Sequence, residues 1–161
     1  MSGSLPKVGI SACLLGQEVR YDGGHKRQAE LLRHFEGKIE WVPVCPEVEF
    51  GLGTPREPIR LEGERLVTIE SRRDLTDAMQ AWALQRLDAL PGLCGFVFKS
   101  RSPSCGLGSA PVFDSGELRS GVFAEMLVAR FQEIPVVEET ALLDAPSRRR
   151  FLERVYGRHS S

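Results

Sequence analysis

Apolar and polar positions along the chain follow two rhythms, and the rhythm changes at turn-forming residues. Lys7–Val8–Gly9–Ile10–Ser11–Ala12 predicts a short strand that ends at Cys13. Arg20–Tyr21–Asp22–Gly23–Gly24 predicts a turn, since paired glycines accept backbone angles that other residues resist. Ala29, Leu31, Leu32 and Phe35 then recur at helical spacing, with Gly37 as the stop. Trp41–Val42–Pro43–Val44 reads as a second strand, running into Cys45–Pro46–Glu47. Ile59–Leu61 and Leu66–Ile69 flank Glu62–Gly63–Glu64–Arg65 as a hairpin would. From about Asp74, the positions Leu75, Ala78, Met79, Trp82, Leu87 and Leu90 make an apolar stripe, closed by Pro91–Gly92. Cys94–Phe98 is a continuous apolar run, the pattern of a strand buried on both faces. A helix over about Gly121–Glu133, a strand at Ile134–Val137 and an amphipathic helix over about 146–157 complete the reading.

Strands alternating with helices predict an α/β protein. The expectation is a single three-layer domain over residues 1–161, with its core in about 7–140. Its sheet should be mostly parallel and Rossmann-like, with a small hairpin beside it. Such sheets bind ligands beyond the carboxyl ends of their strands. Cys13, Cys45 and Cys105 each come just after a predicted strand, Cys105 at the end of Lys99–Ser100–Arg101–Ser102–Pro103–Ser104–Cys105. Three loops at one sheet edge can therefore bring together cysteines that lie far apart in the chain.

Composition narrows the picture. The chain has 161 residues, enough for one domain with a proper core. Its net charge of −1 supplies no field to draw in a polyanion, so no obligate nucleic-acid partner is expected. Arg148, Arg149, Arg150, Arg154, Arg158 and His159 crowd the tail and read as a solvated helix face. Met1–Lys7 carries no secretory signal and no apolar run could cross a bilayer, so a cytoplasmic protein without membrane contact is expected. In a reducing compartment, four scattered cysteines point to metal binding or catalysis rather than disulfides. Cys94 is set apart. At the mouth of an apolar strand, it reads as a buried space-filling thiol.

The other three thiols sit among small, turn-forming residues: Ser-Ala-Cys-Leu-Leu-Gly, Cys-Pro-Glu and Ser-Pro-Ser-Cys-Gly. They lack the tight pairing of zinc ribbons and bacterial ferredoxins, but such loops can turn N–H groups toward cluster sulfurs. Glu47 follows Cys45 closely and is a candidate base; its plain role would be a helix N-terminal charge. Ser102 precedes Cys105 and could bond a substrate or water; its plain role would be turn chemistry.

Taken together, three segments resemble the thiouracil desulfidase family in its short form. They are Ser11–Gly16 with Val19–Gly23, Cys45–Glu47 with Gly51–Leu52 and Pro55–Pro58, and Lys99–Gly106. The resemblance spans roughly residues 7 to 140. It implies an α/β domain with one 4Fe-4S cluster held by Cys13, Cys45 and Cys105, leaving one iron without a protein ligand. It also implies removal of sulfur, without net redox change, from a thiolated pyrimidine such as 2- or 4-thiouracil or 4-thiouridine monophosphate, giving the uracil compound and hydrogen sulfide. The soft thiocarbonyl sulfur would suit the open iron. Glu47 would act as general base on water, and Ser102 would orient the substrate or help move a proton. A phosphate would need cations, and the basic residues nearest these motifs are Arg20, Lys26, Arg56, Lys99 and Arg101. The partner is thus a small molecule, and the protein is expected to be a monomer or a weak homodimer.

Two other readings compete. A thiol phosphatase or reductase would pair Cys13 with Arg20, but their separation is one residue too long for a tight phosphate loop, and Cys45 and Cys105 would go unexplained. The alternative is a non-catalytic iron–sulfur or thiol-based module acting on thiolated tRNA by RNA binding or electron transfer. Electron transfer is better served by four protein ligands, and RNA binding by exposed rings on a basic face.

Overall fold

A computed structural model describes residues 4–15, 29–51, 57–90 and 92–159. In chain order the elements are β1 (Lys7–Ser11), α1 (Ala29–Phe35), β2 (Glu40–Val44), α2 (Pro46–Glu49), β3 (Ile59–Glu62) and β4 (Arg65–Thr68). Then follow α3 (Thr76–Asp88), β5 (Leu93–Phe98), β6 (Ala110–Pro111), β7 (Leu118–Arg119), α4 (Val122–Arg130), β8 (Val136–Glu138) and α5 (Ala145–His159). Short 3-10 turns at Ala12–Leu15 and Glu139–Leu142 follow β1 and β8.

The main sheet is parallel throughout, in the order β2-β1-β5-β8. Chain order therefore reverses at β1: the chain steps to β2 on one side and reaches β5 on the other. That is a topological switch point, where the loops leaving two neighbouring strands part and open a crevice. Helices cover both faces. On one, Phe96, Phe98 and Val44 pack with Ala83 and Leu87 of α3 and Phe123 and Leu127 of α4. On the other, Val8, Ile10 and Val97 pack with Leu31 and Phe35 of α1 and Phe151 and Val155 of α5. This is the expected three-layer α/β arrangement.

Close packing depends on two glycines. A Cβ on Gly9 would sit 2.3 Å from the Phe96 ring, so β1 must be bare where that ring crosses it. A Cβ on Gly95 would meet Val155 at 3.0 Å and the Pro135 carbonyl at 3.2 Å, so β5 is bare where α5 presses on it.

The antiparallel pair β3-β4 forms as expected and buries Leu61 and Leu66 against Leu75 and Met79. Some details differ from the sequence expectation. Ala78 is exposed and Ala83 is buried, because α3 is covered by α4 along one side and the hairpin along the other. The last strand begins at Val136, since Pro135 has no N–H for a ladder; its carbonyl still accepts from Phe96 N–H at 3.1 Å. The helix α4 ends at Arg130, and the two-residue pair β6-β7 had no sequence signal. No described helix is long and apolar enough to cross a membrane.

Candidate active site

Cys13 lies in the 3-10 turn directly after β1, and Cys45 lies between β2 and the single turn α2. Cys105 is buried in the loop after β5. None of the three is in a disulfide, and all three line one cavity of about 260 Å³ at the carboxyl edge of the sheet, beside the switch point. Glu47, Ser102, Lys99 and Arg101 line the same cavity, and Pro58 and Ile59 of the hairpin form a wall. Arg20, Lys26 and Arg56 lie outside the described residues. Cys94 is buried at the opposite end of β5, in the core, as its apolar context predicts, and burial pushes its thiol up.

Local chemistry holds each loop. Cys45 precedes α2, with Pro46 at the first helical position where a missing N–H costs nothing. Glu49 reaches back to accept from Cys45 N–H at 2.8 Å, and Arg86 of α3 grips the other oxygen at 2.6 Å. The Cys105 loop is anchored to the start of α4. Val122 N–H donates to the Pro103 carbonyl at 3.2 Å, and Phe123 and Ala124 donate to Ser104 at 3.0 and 3.1 Å. The first N–H groups of a helix have no partner within it, so the loop carbonyls satisfy them. Gly121 makes this approach possible, since a Cβ there would lie 2.4 Å from the Ser104 carbonyl carbon.

Two adjacent carboxylates at the end of β8 complete the support. Glu138 accepts from Leu107 N–H at 2.8 Å and from the Ser109 hydroxyl. Buried Glu139 accepts from Ser100 N–H and Oγ at 2.7 and 2.8 Å and pairs with Lys99 Nζ at 3.5 Å. Lys99 is thereby committed to its own loop. Arg101 differs: it is exposed, forms no ion pair among the described residues, and holds φ at +65°. A non-glycine residue in that region carries strain of about 1–3 kcal/mol, which the surrounding loop must sustain.

Burial, the largest effect, pushes the Cys105 thiol far above its ordinary value, and Cys45, Cys13 and Glu47 push it the same way; a hydrogen bond from Ser11 opposes them. Ser11 Oγ also accepts from Lys99 N–H at 2.9 Å, so it ties β1 to the Cys105 loop. A thiol so placed ionises readily only beside a strong cation, as a metal centre provides. Among the described residues, no three His, Cys, Asp or Glu side chains converge tightly enough for a single metal ion. Three soft donors spread around one cavity suit a larger, multi-metal body.

Residues 8–139 match the 2-thiouracil desulfurase family. The chain belongs to that family. A curated relative, the uncharacterized protein YbbK of Bacillus subtilis (strain 168), is 32% identical over 110 residues, covering 62% of this chain and 72% of YbbK. A solved structure of the 4Fe-4S-dependent thiouracil desulfidase TudS is 37% identical, with a TM-score of 0.66, covering 85% of this chain and 93% of TudS. The fold of this desulfurase-family chain is therefore shared over most of its length.

Sequence reasoning had not singled out Ser11, Ser104, Glu138 or Glu139. Ser11 and Ser104 stand within the motifs but look like ordinary small loop residues. The two glutamates at the end of a predicted strand were the only other sign, and charged pairs are common at such ends.

Proposed function

We propose that this chain is a non-redox desulfidase that hydrolyses the C=S bond of thiolated uracil compounds, with a 4Fe-4S cluster held by Cys13, Cys45 and Cys105. The observation that carries this reading is the convergence of three cysteines, from loops that follow parallel strands, on one cavity that also holds Glu47. The donor set fits such a cluster: three soft thiols line a shared space, and the buried one needs a nearby cation to ionise. When bound, the cluster would supply a Lewis-acidic iron with an open position for a soft sulfur.

The remaining work falls to the protein. Glu47 removes a proton from a water, whose oxygen attacks the thiocarbonyl carbon. Ser102 orients the pyrimidine and supplies a proton. The C–S bond breaks as the added hydroxyl loses its remaining proton to solvent, sulfur leaves as hydrosulfide, and no electrons are exchanged with a redox partner. Pro58 and Ile59 give the ring an apolar wall. Arg101 stands at the cavity to receive a substrate phosphate, which favours 4-thiouridine monophosphate over the free bases. Lys99, held by Glu139, shapes the loop.

The test is anaerobic cluster reconstitution followed by measurement of sulfide released from 4-thiouridine monophosphate and 2-thiouracil. Iron-loaded protein should release sulfide, whereas apoprotein and Cys13→Ala should not. Glu47→Gln should load iron normally yet turn over about 10²-fold more slowly, the scale for a lost general base. Iron-loaded wild type that attacks neither substrate would overturn the assignment.

A further inference from the structure

We infer that Ser104 is a proton-relay residue joining Glu47 to Ser102, an inference that rests on the desulfidase reading. Ser104 Oγ lies 3.1 Å from Glu47 Oε2 and 3.1 Å from Ser102 Oγ. The residue is 1% exposed, so its hydroxyl has little access to bulk water.

Hydrogen-bond counting sets the direction of the chain. Ser104 Oγ is the donor to Glu47 Oε2, so its single proton points at the carboxylate. The contact between the two serines must then be a donation from Ser102 to Ser104. Ser102 Oγ is meanwhile an acceptor for Cys105 N–H at 2.9 Å and, more weakly, Ser104 N–H at 3.2 Å. The resting order is Ser102 to Ser104 to Glu47, with every proton aimed at the carboxylate. In this order the Ser102 proton is directed at Ser104 and away from any ligand in the cavity.

Turnover reverses this order. Water loses a proton to Glu47 as its oxygen bonds to the thiocarbonyl carbon. Glu47 passes a proton to Ser104 Oγ, Ser104 passes its own to Ser102 Oγ, and Ser102 releases its proton to the substrate's ring nitrogen or departing sulfur. One proton has moved from water to substrate, both serines and the carboxylate are restored, and no electrons are gained or lost. The relay thus makes the donor at Ser102 available only after the base has acted.

The test uses the reconstituted holoprotein with 4-thiouridine monophosphate. Ser104→Ala should keep its iron content and visible cluster absorption, lose about 10²-fold in kcat, and change KM by about twofold or less. Combining it with Ser102→Ala should cost little beyond either single change, since one broken link stops the whole relay. In wild type, the rate in mixed light and heavy water should curve, marking more than one proton in flight. Loss of iron in Ser104→Ala, additive losses in the double variant, or a linear isotope dependence would each overturn the relay while leaving the desulfidase reading intact. Inactive iron-loaded wild type would remove both.

Discussion

Arg101 and Lys99 are two residues apart and begin as equal candidates for a phosphate, yet their settings divide them. Lys99 meets a buried carboxylate at 3.5 Å and two acceptors on Ser100. Arg101 has its backbone N–H fixed by Ser109 Oγ at 2.7 Å and its side chain uncommitted among the described residues. A guanidinium held this way can fork onto a phosphate. Arg101→Ala should therefore raise KM for 4-thiouridine monophosphate about tenfold, the scale of one charge-assisted hydrogen bond of about 1.5 kcal/mol. The same change should leave KM for 2-thiouracil within about twofold. Equal effects on both substrates would show that Arg101 does not read the phosphate. Motif spacing could name both cations, but their different fates depend on Glu139, which lies far along the chain.

At the scale of the element, the β3-β4 hairpin is held by charge as well as by its apolar face. Glu62 accepts from Arg72 at 2.7 and 2.9 Å and from Arg60 at 2.7 Å. These bonds, Arg72 first, hold its carboxyl down at about 2, from an ordinary value of 4.5. Arg60 also lies 3.4 Å from the centroid of the Phe113 ring, linking the hairpin to the β6-β7 pair. A carboxyl depressed by folding contributes stability above its unfolded pKa and loses it as pH falls through the folded value. The hairpin should thus loosen between about pH 4.5 and pH 2, read as faster exchange of the β3-β4 amides. Glu62→Gln should flatten that dependence; an unchanged acid profile in the variant would exclude the pair as its cause. Since Ile59 walls the cavity, this loosening should reach the site as well.

Across the whole molecule, the sheet places the site, and layer packing fixes the sheet. Gly9 lets the Phe96 ring lie across β1, where it stacks on Phe98 with centroids 4.4 Å apart. Gly9→Ala should force that ring to move and cost about 1–3 kcal/mol, the usual penalty of overpacking a close-packed core. Urea unfolding would show it as a lower midpoint at unchanged slope. An unchanged midpoint would mean that the layers have slack which this packing denies.

Much of this was legible in the sequence because it is local. Strand and helix rhythms, the buried run Cys94–Phe98, and the three cysteine motifs each depend on neighbours a few residues away. From them came the α/β class, the candidate thiols and Glu47, and the cavity brings those side chains together. The strand order, the burial of Ala83 in place of Ala78, and the hydrogen-bonded links from Ser11, Ser104, Glu138 and Glu139 were not legible. Each depends on a partner from a distant segment: Ser104 meets Glu47 only because β2 and β5 flank the same strand, and Glu139 meets Ser100 only because β8 lies beside β5. The sequence by itself determined which groups could do chemistry. Only the tertiary structure decided which of them touch, because hydrogen bonds act over about 3 Å and chain separation says nothing about that distance until the sheet is assembled.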